Sequence, residues 1–461
     1  MLAELHALSQ NQEAQWFLHQ LAPDSAAYNT GVAVRIRSAV DVPALERAVV
    51  ELGRRHDMLR SVFTEQDGQP VRLVDAESLC PLELCPLPGA TVEELDAAVR
   101  ARLRAPFLLA DAGAFRIVLH TRAPEDSVLL IAGHHIATDA ASDSVLLADL
   151  LELYRQIRAG GPVGLEPLAD SYDEYVIKER RLVSSPLGAV LEKHWQDLCQ
   201  GAAAVSLHPD RPRPARQSFT GDTCRVIVPA EPTSRLREVA LESEVSSFAF
   251  LLAVFQGVLH RHIRTADFLI GAPVTTRLSS RSRSLVGNYI NTIVFRAAIG
   301  GTTTFREAAV EANKQLKKAM AGLRYPFAHL ARILAATREA GESAVYRVTF
   351  NMLATSHLPE PLQAVLDSTK EDEVSQYAGL RLSAYRLPQQ EGQVDLGVDV
   401  LQTEDVLVVD FRYDSELYDR GTVEQFAAHF VRAVELATAN PDTAVSRARI
   451  WGRATAAVST V

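Results

Sequence analysis

Segments with a two-residue hydrophobic period alternate along this chain with segments of three- and four-residue period, in both of its halves. Such a chain must pack helices against sheets, which is an α/β (α+β) class. It has 461 residues, and single cores stop growing at roughly 250–300 residues, so two lobes are expected. In the first half, Gln10–Leu21 reads as a helix, with Trp16, Phe17 and Leu21 at helical spacing behind Ser9. Asp41–Arg55, Thr91–Ala105 and Ser142–Arg155 read as helices too. Gly31–Ile36, Ser61–Phe63, Val71–Val74, Phe115–His120 and Ser127–His134 read as strands. Residues 159–167 are rich in Gly and Pro, and a helical stretch follows to Gln200. The expected boundary lies near residue 175, giving lobes 1–175 and 176–461. In the second half, Val226–Val228, Phe268–Ala272, Thr292–Arg296, Tyr346–Met352 and Leu407–Tyr413 read as strands, antiparallel in character. Leu236–Ser243, Ser246–His260, Thr304–Met320 and Val423–Ala437 read as helices.

Composition excludes several functions. A formal charge of -10 argues against a nucleic-acid binder, which needs a basic surface to meet phosphates. Cys80, Cys85, Cys199 and Cys224 form no CxxC pair and no metal spacing, so no metal site is expected. Four thiols in so long a chain suggest a reducing, cytoplasmic setting. The N-terminal MLAELHALSQNQ lacks the basic and apolar regions of a signal peptide. The longest apolar stretch, Phe248–Leu259, falls short of the ~20 residues that cross a bilayer and reads as a buried helix.

The chemistry concentrates in Ile131–Ala140, IAGHHIATDA, between a strand and the helix expected to begin near Ser142. A histidine at a strand end can accept a proton from a nucleophile or hydrogen-bond it. The helix N-terminus offers N–H groups and a positive dipole end where an oxyanion would develop. Neighbouring strand residues face opposite ways, so His134 and His135 cannot both enter one cleft or share a metal. Asp139 could serve as a catalytic acid, but an acid so close to the turn more often anchors it.

His134-His135-x-x-x-Asp139 resembles the HHxxxDG signature of the condensation domains of non-ribosomal peptide synthetases, whose fold is related to chloramphenicol acetyltransferase. Other segments resemble that family in its own order. They are LSQNQ at Leu8–Gln12 with Trp16–Pro23 and Ser25–Asn29, RHDMLRSVF at Arg55–Phe63, IGAPVTTR at Ile270–Arg277, and VGNYINT at Val286–Thr292 with Arg296. VDL at Val394–Leu396 and YDSELYD at Tyr413–Asp419 complete the series.

The resemblance implies two acetyltransferase-like lobes in a V-shaped pseudo-dimer, with the active site in a channel between them. It implies an acyltransferase that joins a carrier-bound acyl or peptidyl thioester to an amine, or to a hydroxyl. Donor and acceptor carrier proteins and neighbouring synthetase domains would be the partners, with a monomer sufficient. The phosphopantetheine arms belong to the carriers, and the chain needs no cofactor of its own. His135 carries over as the catalytic residue, as base or as positioning dipole, and His134 as structural. Asp139 carries over as the acid that pairs with an arginine of the second lobe, here Arg277. Ser142 reads as a helix cap that also aims its hydroxyl at the channel. Gly287 reads as a tight backbone path held by Asn291. Asn351, within Phe350–Met352, is a candidate for the channel wall.

The chain departs from the family at two positions. Ala140 replaces the usual Gly, where a methyl could shift nearby N–H groups. Ala141 replaces a frequent large aromatic, which would leave room for a bulky substrate. Two other functions fit the same frame. One is a non-catalytic recruitment domain that binds a tailoring enzyme; its relatives usually have a broken histidine pair. The other is a free acyltransferase using coenzyme A thioesters. The family's opening motif starts almost at Leu2, as in a domain excised from a longer synthetase.

Overall fold

The computed structural model describes residues 4–75, 80–214, 217–336, 345–353, 362–363, 365, 373–389, 391–403, 405–451 and 458–459. The first elements are β1 (Glu4–Ala7), α1 (Gln10–Leu21), β2 (Asn29–Ile36), α2 (Val42–Arg55), β3 (Ser61–Gln66), β4 (Gln69–Val74) and β5 (Leu82–Pro86). They continue with α3 (Val92–Arg104), β6 (Phe115–Ala123), β7 (Asp126–His134), α4 (Ala140–Ala159) and α5 (Tyr172–Val183). Next come α6 (Pro186–Cys199), β8 (Ala203–Ala204), β9 (Gly221–Val228), α7 (Ala230–Glu242), α8 (Ser247–Ile263), β10 (Asp267–Thr275), β11 (Ile290–Ala298), α9 (Phe305–Ala321), α10 (Phe327–Ala336) and β12 (Val348–Leu353). The last are β13 (Ser375–Tyr377), β14 (Leu380–Ala384), β15 (Leu396–Gln402), β16 (Leu407–Asp414), α11 (Arg420–Ala439) and β17 (Val458–Ser459).

The chain forms two compact units. One holds Met1–Arg181, Arg277–Ile290 and Thr355–Gln390, the other Leu182–Thr276, Asn291–Ala354 and Glu391–Val461. A single cut near residue 175 therefore does not describe the chain. The reason is non-local pairing: β14 hydrogen-bonds to β2, placing Leu382 opposite Ile36 and Ala384 opposite Val34. The first unit has a sheet in the order β13-β14-β2-β7-β6-β5 and a three-stranded one, β1-β4-β3. The second unit's sheet runs β11-β10-β12-β15-β16-β9-β17, with β8 beside β10. It is mixed rather than antiparallel: β12 runs parallel to β10 and to β15.

Sequence-local signals explain where helices begin. Ser9 caps α1 reciprocally with Gln12, each side chain 3.1 Å from the other's N–H. Thr91 with Glu94 and Thr304 with Glu307 repeat this arrangement at α3 and α9. The helix α4 starts earlier than expected, at Ala140, because Asp139 rather than Ser142 is its N-cap. It ends at Gly160, whose φ of 68° lies in the left-handed region. Leu146, Leu147, Leu150, Leu151, Tyr154 and Ile157 form its buried face, packed on α2, β2 and β7. Every residue of β7 is buried, which accounts for its nearly unbroken apolar sequence. The strand thus delivers its last residue, His134, at the edge of a rigid core. Among the described residues no helix is long and apolar enough to cross a membrane.

Candidate active site

The two histidines at the end of β7 are held in opposite tautomers. His134 is 4% exposed and packs among the rings of His19, Tyr28 and Phe107. Its Nδ1 accepts the Ile136 N–H at 3.1 Å, so the neutral ring carries its proton on Nε2. Burial, with the His19 and His135 rings adding to it, pushes its pKa down to about 3. His135 is half-buried and lies just past the strand, its N–H donated to the Tyr28 carbonyl at 2.7 Å. Its Nδ1 lies 2.7 Å from the Thr138 carbonyl oxygen, which can only accept. Nδ1 therefore holds the proton, and in the neutral ring Nε2 holds the lone pair. Of the pair, His135 is the more exposed and carries its lone pair on Nε2.

Asp139 is the hub of the turn. It is 0% exposed, and Oδ1 accepts the Ser142 N–H at 2.7 Å and an Arg277 N–H at 3.1 Å. Oδ2 accepts the Tyr289 N–H at 3.0 Å. Burial alone would raise this carboxyl; the Arg277 guanidinium and the Ser142 donors outweigh it and hold it below the usual carboxylate range. Ser142 Oγ lies 2.8 Å from both Asp139 Oδ1 and the Gly287 carbonyl, and has one proton to give to either. It accepts from Arg277 at 2.6 Å and from the Gly287 N–H at 3.1 Å. Arg277 also donates to the Ser282 and Leu285 carbonyls, at 2.6 and 2.8 Å, and stacks 4.1 Å from the Tyr289 ring centre. So committed a carboxylate ties the His135 turn to the start of α4 and to the Tyr289 backbone. Arg277 belongs to the same compact unit as Asp139, not to a second lobe.

A second buried acid lies beneath the turn. Asp143 Oδ1 is 2.6 Å from Thr138 Oγ1, and Oδ2 is 3.0 Å from Thr30 Oγ1 on β2. Burial pushes its carboxyl up to about 7, against the Thr138 and Thr30 donors and Arg277, with Asp139 adding to the rise. A raised carboxyl stabilises the native state fully below its unfolded value of about 4, and that contribution is lost as pH climbs through the folded value. Asp143→Asn has no such loss. Its urea midpoint relative to the parent should therefore rise between about pH 5 and about pH 8. A difference constant over that range would overturn the assignment.

Comparison with known proteins decides the family. The sequence model of the Condensation domain family matches residues 3–457. The chain belongs to the condensation-domain family. It is 30% identical over 458 residues to a probable non-canonical nonribosomal peptide synthetase, CymA, of Salinispora arenicola; the match covers 96% of this chain and 6% of that protein. The chain thus spans a small fraction of the length of the curated relatives it matches. A four-domain nonribosomal peptide synthetase bound to AMP and glycine superposes with a TM-score of 0.87 at 20% identity, over 98% of this chain and 34% of that one. The X-domain from teicoplanin biosynthesis superposes at 0.84 with 24% identity, over 95% and 96%. At those identities the two structures share a fold with this chain. A condensation domain is an acyltransferase, which is the chemistry a histidine so placed can serve.

Within this condensation domain the two family departures cause no strain. Ala140 is the first residue of α4, where an ordinary helical backbone suits any L-residue, and both Ala140 and Ala141 are exposed. Gly287 is required for close approach: a Cβ there would run into the Tyr172 ring, itself buried. Gly287→Ala should cost about 1–3 kcal/mol, as overpacking does, read as a lower urea midpoint; an unchanged midpoint would mean the Tyr172 ring can move aside. Asn291 does not hold Gly287. It donates to the Leu323 and Tyr325 carbonyls at 2.6 and 2.7 Å and accepts the Phe327 N–H at 2.9 Å, tying α10 to β11 in the second unit. Asn351 lies on β12 of that unit, bonded to Asp399 at 3.1 Å across to β15. Neither is brought beside His135 within one unit. The Thr138–Asp143–Thr30 cluster was not foreseen, since an acid in a first helical turn ordinarily reads as a solvated partner of the helix dipole.

Proposed function

We propose that this condensation domain moves an acyl or peptidyl group from a carrier-bound thioester to an amine at His135. The observation that carries the reading is the 2.7 Å contact from His135 Nδ1 to the Thr138 carbonyl, which puts the ring proton on Nδ1 and makes Nε2 the basic nitrogen of the neutral ring. The acceptor nitrogen attacks the thioester carbonyl carbon, and Nε2 takes the proton that the nitrogen sheds. The C–S bond breaks, the amide forms, and the proton passes to the departing sulfur. An α-amine has a pKa near ~8, so a useful fraction is already neutral and His135 mainly orients it; a hydroxyl acceptor would need it as a full base. Both substrates arrive on the phosphopantetheine arms of carrier proteins, and the domain contributes no cofactor. It works as a monomer beside other synthetase domains, in the cytoplasm, where its four cysteines stay free thiols.

The test loads one carrier with a model acyl chain and a second with an amino acid, adds the domain, and follows the mass of the acceptor carrier. Transfer dependent on the domain supports the reading. Transfer from coenzyme A or free thioesters with no carrier would make it a free acyltransferase. No transfer to carriers, free amines or alcohols, together with binding of a tailoring oxygenase, would make it a recruitment domain.

A further inference from the structure

We propose that Asp143 and Thr138 are positioning residues that lock the tautomer and angle of His135 from beneath, an inference that rests on His135 being the site of transfer. Thr138 faces two ways. Its carbonyl receives the His135 Nδ1 proton at 2.7 Å, and its Oγ1 lies 2.6 Å from Asp143 Oδ1. Asp143 is itself clamped: Oδ2 is 3.0 Å from Thr30 Oγ1, and its backbone N–H donates to the Asp139 carbonyl at 2.9 Å. Thr138 is 0% and Asp143 3% exposed, so no solvent competes for these bonds. The strand β2, carrying Thr30, and the helix α4, carrying Asp143, therefore grip the residue whose carbonyl orients the imidazole. The charged groups around this acid are Asp139 and Arg277 from the turn and the segment behind it. Thr138 Oγ1 also meets the Asp139 backbone carbonyl, at a long 3.4 Å. The Asp139 hub fixes where α4 starts, whereas Asp143 fixes the rotation of the peptide at Thr138.

The grip should be visible without any substrate. With 15N-labelled histidine, the His135 ring, assigned by its loss in His135→Gln, should show a protonated Nδ1 and an unprotonated Nε2 in the neutral parent. Thr138→Val keeps the shape and removes the hydroxyl, so the ring should become a mixture of tautomers; Asp143→Ala should do the same. Thr138→Ser restores the hydroxyl and should restore the parent spectrum. In the two-carrier assay Thr138→Val should lose kcat by up to about 10²-fold with an unchanged KM for the acceptor, as a misplaced catalytic group does. A His135 spectrum and a kcat unchanged in Thr138→Val would overturn the proposal. Thr138→Val is near-isosteric and carries the test should Asp143→Ala not fold. If His135→Ala itself transfers at the parent rate, the reading of the site fails, and the spectra still decide whether Asp143 and Thr138 set the tautomer.

Discussion

Replacing His135 by alanine should slow acyl transfer between carriers by about 10²- to 10⁴-fold while leaving the fold intact, the range expected for loss of one positioned acid–base group. The half-buried ring bonds through Nδ1 to a backbone carbonyl of its own turn, and its removal leaves that carbonyl to be solvated. The loss should lie near the lower end for an amine acceptor, already partly neutral at physiological pH, and near the upper end for a hydroxyl. His134→Ala should behave in the opposite sense. That ring is buried with Nδ1 engaged, its pKa near 3, and its removal opens a cavity among Phe107, Tyr28 and His19. It should cost stability first, with kcat of the folded fraction close to parent. Mass analysis of the acceptor carrier, beside thermal unfolding of each variant, separates the two. Equal transfer by His135→Ala and the parent would remove His135 from the chemistry.

The strand, turn and helix around His135 were legible because each carries a local signal. An apolar run of strand length ends in two polar rings, and a polar turn precedes an apolar stripe of helical period, although the cap reads as Ser142 from the sequence and is Asp139 in the structure. The bounds expected for α1 coincide with those observed because Ser9 and Gln12 are sequence-local caps. Long-range pairing was not legible. Nothing in RLSA marks β14 as the neighbour of β2, and nothing local says that 277–290 rejoins the first unit. The strand β15 was missed because Gly397 and Asp399 interrupt its pattern. In the sheet Asp399 pairs with Arg412 of the adjacent β16 at 2.5 Å, so the charge is tolerated there. Asp143 was missed for a related reason: burial of an acid depends on the two threonine hydroxyls that receive it, and one of them lies 113 residues away.

Asp139→Ala should destabilise the first unit by about 3–5 kcal/mol, the cost of breaking a buried ion pair from one side. The figure follows from what is left behind. Arg277 is 6% exposed on its side chain, and without the Asp139 carboxylate it loses its direct ion-pair partner, keeping its bonds to carbonyls and the Ser142 hydroxyl and its contact with the Tyr289 ring. The Tyr289 N–H loses its acceptor, and α4 loses its cap, a further loss of about 1 kcal/mol. Asp139→Asn separates these effects. An amide oxygen can still take the Ser142 N–H, but its NH₂ group must then face the Tyr289 N–H, donor against donor, so the variant recovers the cap and little else. Removing both charges relieves the stranded guanidinium, so the Asp139→Ala, Arg277→Ala double variant should be less destabilised than the two single losses summed. Urea unfolding of the four proteins, followed by circular dichroism, gives that comparison. If Asp139→Ala unfolds at the parent midpoint yet transfers nothing, the carboxylate takes part in the chemistry directly. If it unfolds early, as its buried hydrogen bonds require, the acid serves the reaction by holding the turn that presents His135.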